Sequence, residues 1–188
     1  GCSYFFGDLR DPQSVRRCLI DATHLIVCTN VRRESKANNH RDVTVDGHKD
    51  LFDAAAQTGI KRTVLISCMG IEHSSSPAFT GRKGAEDHLI ASGIEYTILR
   101  ACLHETAFLE LAWQIHDRKR IWVPGPGTNE LSVLPTQDLS KMAAASLDLP
   151  SVRNQTIAVG GTAAIQFNDA LDMACSIVGV ERQTVRLP

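Results

Sequence analysis

What most limits the folds open to this chain is a repeated pairing of two patterns. Short, wholly apolar runs with a polar end, "HLIVCTN" and "KRTVLISCMG", alternate with segments whose apolar residues recur at helical spacing. A run that is apolar at every position is buried on both faces, as strands of a parallel sheet are. Such strands need a crossover helix between them. "DPQSVRRCLIDA" supplies one, with Asp11 as N-cap, Pro12 at the first helical position, and Val15, Cys18, Leu19 and Ala22 on one face. "VDGHKDLFDAAAQTG", closed by Gly59, supplies a second, and "RKGAEDHLIASG" a third that leads into the strand "IEYTILR".

The rest continues the theme less regularly. "CSYFFGDL" and "QTIAVGG" read as strands, while "VRRESKANNHRD", "IEHSSSPAFTG" and "VPGPGTN" read as loops. Phe108, Leu111, Ala112 and Ile115 mark one helical face. "TQDLSKMAAASLDLP" is expected to be a helix with Thr136 as N-cap and Leu139, Met142 and Ala143 turned inward. "NDALDMACSIVG" is another, with Leu171, Ala174, Cys175 and Val178 on one side. The predicted fold is α/β, a doubly wound parallel sheet. Residues 1–188 are expected to form a single domain, with about 101–188 as its substrate-side part.

Several function classes are excluded early. A formal net charge of -1 gives no global field for nucleic acid. No apolar run reaches the length of a membrane span. Six cysteines without a CxxC pair, five of them in apolar segments, predict buried free thiols and a reducing, cytoplasm-like compartment. "HETAF" opens like a zinc site, but its second histidine position holds Phe108, so no metal is expected.

In an open α/β sheet, ligands bind beyond the carboxyl ends of the strands. The residues to inspect are Asp8 and Leu9; Cys28, Thr29 and Asn30; Ser67, Cys68, Met69 and Gly70; and Arg100, Ala101, Cys102 and Leu103. With "GDLRDPQSV", "VDGHKDLFDAAAQTGIKRTVLISCMG", "RKGAEDHLIASGIEYTILRA" and "VLPTQDLSKMAAASLDLP" in that order, nearly the whole chain resembles the atypical short-chain dehydrogenase/reductases, in particular the NmrA-like NAD(P)-binding proteins. The resemblance implies a Rossmann-like sheet and a nicotinamide dinucleotide, NADP or NAD, with NADP slightly preferred. It implies that Asp8 and Leu9 lie beside the adenine and Thr29 and Asn30 line its ribose. Ser67 would sit near the nicotinamide, and Lys83 would hydrogen-bond the nicotinamide ribose. Ala101, Cys102 and Leu103 would close over the nicotinamide.

Two departures matter. The family's glycine-rich phosphate loop is absent, and the chain enters at what resembles the third strand. Either the chain is a reduced module that pairs differently or, as the preferred reading, about one βαβ unit and a little more, roughly 40–60 residues, is expected upstream. Without it, the "CSYFF" strand would lack both strands that separate it from the rest of the sheet. The second departure is Phe79, four residues before Lys83, where many of these enzymes carry a catalytic tyrosine. A phenyl ring shapes a pocket but supplies no proton.

Lys83 also reads as a plain solvated lysine in a helix's first turn, and Ser67 as a strand-end serine. Asp8 reads equally well as a turn former, His73 as an exposed loop histidine, and Tyr96 as packing. Two functions follow. The first is an NAD(P)H-dependent reductase of a small carbonyl or quinone-type compound, with Lys83 and Ser67 as catalytic residues. The second is a non-catalytic NAD(P)-binding redox sensor or assembly protein, with a protein partner or a second copy of itself.

Overall fold

The computed structural model describes residues 2–31, 34–118 and 121–187. The chain divides into two compact units, Gly1–Arg100 with Met142–Ile157, and Ala101–Lys141 with Ala158–Pro188.

The first unit begins without regular structure. Residues 2–8 form no strand, and Tyr4, Phe5 and Phe6 are exposed, which corrects the expected "CSYFF" strand. A strand exists only by pairing, and these residues pair with no strand among the described residues. Helix α1 (Pro12–Cys18) follows, with Asp11 accepting the Gln13 N–H at 3.0 Å as N-cap. Strand β1 (His24–Val27) is next. Residues His40–Gly47 then form wide, π-type helical turns, where a polar connection was expected through Asp42 and a helix from Val45. They are started by Asn39, whose side chain accepts the Asp42 N–H at 2.9 Å. They run into α2 (His48–Thr58), which ends at Gly59 in the left-handed region, φ 79°, as a C-terminal glycine does.

Strand β2 (Arg62–Cys68) pairs parallel with β1, with His24 opposite Arg62 and Val27 opposite Leu65. Helix α3 (Pro77–Ala91) starts earlier than its pattern indicated, because Pro77 sits at its first position. Lys83 is therefore in the second turn, away from the amino-terminal dipole. Strand β3 (Glu95–Ala101) follows; with the later β7 (Gln155–Val159) the sheet order is β1-β2-β3-β7. Phe52, Leu65, Leu89 and Ile98, all fully buried, anchor the core of this unit between α2, α3 and the sheet.

In the second unit, β4 (Leu103–His104) leads into α4 (Glu105–Arg118), then β5 (Ile121–Pro124) and β6 (Glu130–Leu134). Helix α5 (Thr136–Asp148) links the units. Thr136 is its first residue rather than its cap: the Glu105 carboxylate takes the Thr136 N–H at 2.8 and 2.9 Å. Leu139 and Ala143 are buried, but Met142 is exposed and not inward as expected. After β8 (Ala164–Gln166) comes α6 (Phe167–Val178), whose Leu171, Ala174 and Cys175 pack with Phe108, Ala112 and Ile115 of α4. The order β4-β6-β8 makes one small sheet, and β5 pairs with β9 (Thr184–Leu187) in another.

The cysteines correct one more expectation. All six are free, but only Cys175 is fully buried, while Cys2, Cys18 and Cys28 are exposed. An apolar segment names the neighbourhood of a side chain, not the side on which it emerges.

Candidate functional site

The carboxyl ends of β1, β2 and β3 carry a layer of buried polar side chains. Its centre is Arg82, on the inner face of α3 and 7% exposed. Arg82 Nη2 donates to the Thr29 carbonyl at 2.9 Å, and Nη1 reaches the Ile66 carbonyl at 3.5 Å. One guanidinium thus ties together the ends of two neighbouring strands. Burial lowers its pKa from the usual arginine value, offset by nearby Cys68 and Glu86.

Beside it, Thr29 Oγ1 lies 2.8 Å from His48 Nε2, and His48 Nδ1 lies 3.0 Å from the Thr44 carbonyl. A carbonyl only accepts, so Nδ1 carries the proton and Nε2 accepts from the Thr29 hydroxyl. Burial first, and Arg82 second, hold the imidazole neutral down to a pKa of about 4. With its proton committed inward, the Thr29 oxygen is left as an acceptor.

A second group closes the layer. Glu86, one turn beyond Arg82 and almost fully buried, takes Arg100 Nε at 3.1 Å and Nη2 at 2.7 Å in a two-pronged pair. Arg100 also pairs with Glu72 in the turn that follows β2. Strand β3, helix α3 and that turn are locked by one guanidinium, whose pKa is raised chiefly by Glu86.

The predicted site residues fall around this layer in different states. Ser67 is 5% exposed at the end of β2, and its Oγ has no hydrogen-bond partner among the described residues. Lys83 is half-buried and ion-paired to Asp87 one turn on, and Phe79 stands one turn before it on α3. Asn30 is exposed beyond β1. Asp8 is held by Arg10, whose Nε and backbone N–H both donate to Oδ1 at 2.9 Å, and that grip lowers its carboxyl to about 2. Leu9 packs against the first unit's core. His73 is exposed, and Tyr96 is half-buried against the core. Cys68 is half-buried, and burial pushes its thiol above 9.0, away from a reactive thiolate.

Ala101, Cys102 and Leu103 open the second unit. Ala101 is buried, and the Cys102 N–H donates to the Val159 carbonyl at 3.0 Å. Leu103 pairs with Val133 across β4 and β6.

Sequence reasoning missed Arg82, Glu86 and His48. The signal was there: Arg82 and Glu86 share the helical stripe of Ala85 and Leu89, a charged pair among core positions. Toward a dinucleotide, the fit is partial and located at one end. Ser67 offers an unspent buried hydroxyl, and Thr29 an acceptor, at the strand edge where such a ligand lies. The phosphate-binding glycine loop is not part of this chain.

The NAD(P)H-binding family matches residues 1–105. The chain belongs to that family. The resemblance to atypical short-chain dehydrogenase/reductases of NmrA-like type stands with it. The photosystem II assembly factor Ycf39 of Trieres chinensis is 26% identical over 190 residues, covering 100% of this chain and 59% of that protein. Ycf39 of Synechocystis sp. is 24% identical over 192 residues, again covering 100% of this chain and 58% of the relative. The chain thus spans under two thirds of the length of these relatives. Among solved structures, MoeE5 in complex with UDP-glucose and NAD superposes with a TM-score of 0.80 at 16% identity, over 96% of this chain and 70% of that one. A short-chain dehydrogenase/reductase superfamily protein from Agrobacterium tumefaciens with bound NAD gives 0.77 at 18%, over 97% and 73%. These likenesses carry the fold: α/β, with a Rossmann-type parallel sheet. No helix among the described residues is long and apolar enough to cross a membrane.

Proposed function

We propose that this chain is the nicotinamide-dinucleotide-binding part of an assembly or regulatory protein that binds NAD(P)H as a ligand and does not turn it over by a tyrosine proton relay. The observation that carries this reading is on α3. Phe79 stands one turn from Lys83, so the ring beside the lysine has no ionisable group, and the Lys83 ammonium is paired with Asp87. The names of the Ycf39 relatives support a role in assembly alongside a protein partner.

In this reading Ser67 and Lys83 hold the nicotinamide end, and Thr29 and Asn30 the adenosine ribose. Asp8 and Leu9 lie at the adenine. Thr29 accepts from a ribose hydroxyl, because its own proton is committed to His48. The cofactor, when bound, supplies hydride chemistry. NADP is the preferred form over NAD. Six free thiols suit a reducing compartment.

A second reading keeps the enzyme. The unpartnered Ser67 hydroxyl favours a reductase of quinone-type acceptors, since a conjugated acceptor can take its proton from solvent. Titrating NADPH and NADH into the protein and following NADPH oxidation with a panel of quinones separates the two. Binding without turnover is expected, and steady turnover of any quinone would replace the first reading with the second.

A further inference from the structure

The first unit's sheet has a second end, which the proposed function leaves unused. Arg62 opens β2 and is 2% exposed. Its Nη2 donates to Thr97 Oγ1 at 3.1 Å and to the Leu149 carbonyl at 3.0 Å. Nε and Nη1 are buried and have no partner among the described residues. A guanidinium keeps its charge at any ordinary pH and carries five N–H donors, so most of its donors here are unspent.

The same arginine forms part of the wall of a cleft of about 430 Å³ at the amino ends of the strands. Lys61 and Arg153 line it too, against the single carboxylate Glu95, which reaches Arg153 at 3.4 Å. Three cations against one carboxylate leave a surplus of two positive charges. Ile60 and Leu147 give the cleft an apolar side. A volume of this size suits a small molecule.

We propose that this cleft binds a small organic phosphate monoester, with its dianionic head on Lys61 and Arg153, the buried charge of Arg62 behind them, and its carbon frame on Ile60 and Leu147. The charge surplus matches a phosphate dianion, and the guanidinium fork matches its oxygens. The site is separate from the dinucleotide edge. Arg62 and Ser67 stand at opposite ends of one strand, five residues and so about 17 Å apart. Occupants of the two ends therefore do not compete.

Calorimetric titration of the purified protein at low ionic strength, with phenyl phosphate and with inorganic phosphate, tests this. Phenyl phosphate is expected to bind about tenfold more tightly than inorganic phosphate, and with unchanged affinity when NADPH is present. Lys61→Ala and Arg153→Ala change exposed side chains, so the fold should survive, and each should weaken phenyl phosphate about tenfold. Arg62→Met should abolish binding; if that variant fails to fold, the two surface variants decide. No phenyl phosphate binding at millimolar concentration overturns the site, as does binding that ignores both surface variants. Equal affinity for the two probes overturns the organic class of the ligand. Competition with NADPH overturns the separate location. A protein that binds phenyl phosphate but not NADPH sustains this site while the proposed function fails.

Discussion

The two ends of the first unit's sheet solve the same problem differently. At the carboxyl end, charges taken out of water are answered from within the chain: Arg82 by two strand-end carbonyls, Arg100 by Glu86 and Glu72. At the amino end, Arg62 is buried at least as deeply, yet among the described residues only one of its nitrogens is partnered. A buried, fully partnered ion network is a fastening. A buried guanidinium with unspent donors beside a cleft is a receptor in waiting. The contrast therefore separates charges that hold the fold from charges held ready for something else, and it can be tested from either side.

The strongest way to break it is to remove the fastening. Glu86→Gln leaves Arg100 one neutral amide oxygen in place of the carboxylate, with the exposed Glu72 as its remaining charged partner among the described residues. Removing one member of a buried pair costs about 3–5 kcal/mol. Chemical denaturation should show a loss in that range, and a loss no larger than that of a surface ion pair would mean that the layer does not fasten α3 to β3.

His48 tests the same layer through pH. Its folded pKa of about 4 lies below the ordinary 6.5. The unfolded chain thus takes up a proton between those values while the folded one does not. Stability from this group is full above pH 6.5 and is lost progressively as pH falls toward 4. The gap corresponds to about 3 kcal/mol, at 1.36 kcal/mol per pH unit. His48→Gln should flatten that part of the stability–pH curve. A curve unchanged by the substitution would remove His48 from the layer.

Much of this end could be read from the sequence, and the unreadable part has a clear cause. Strand β2 announces itself as an apolar run because both its faces are covered, β1 reads alike although Ile26 is exposed, and Gly59 marks the end of α2 because its φ is positive. Ser67 and Thr29 were found by rule, from their places after strands. His48, Arg82 and Glu86 were not: the stripe that Arg82 and Glu86 share with Ala85 and Leu89 marks them as inward, but the partners Thr29, Ile66 and Arg100 lie on other elements, and no local pattern names those. Residues 2–8 failed for the same reason in reverse: their apolar pattern is that of a strand, but pairing is a property of two segments. The helical turns from His40 depend on one Asn39 cap and carry little periodicity. At the amino end, "IKRTVL" gives no hint that Arg62 turns inward while Lys61 stays out.

A smaller effect sharpens the reading of α3. Lys83→Ala should weaken NADPH binding by about 1–3 kcal/mol, as loss of a charge-assisted hydrogen bond does. Stability should barely move, because the Lys83–Asp87 pair is partly exposed and such pairs contribute little. Asp87→Ala is the useful companion: it frees the ammonium and should leave binding equal or tighter. Unchanged affinity in Lys83→Ala would mean that the lysine serves only its aspartate.

The smallest effect is the most discriminating. Glu72 and Glu86 grip the same guanidinium, but Glu72 stands in the exposed turn after β2 while Glu86 is buried. Water competes for Glu72 and not for Glu86, so Glu72→Gln should cost only a small fraction of what Glu86→Gln costs in the same denaturation experiment. Its effect should appear instead in the turn it anchors, as faster amide exchange at Ile71–His73 with the rest of the sheet unchanged. If Glu72→Gln costs as much as Glu86→Gln, the two carboxylates act as one cooperative unit, and the exposed turn after β2 belongs to the fastening rather than to the edge that a ligand would meet.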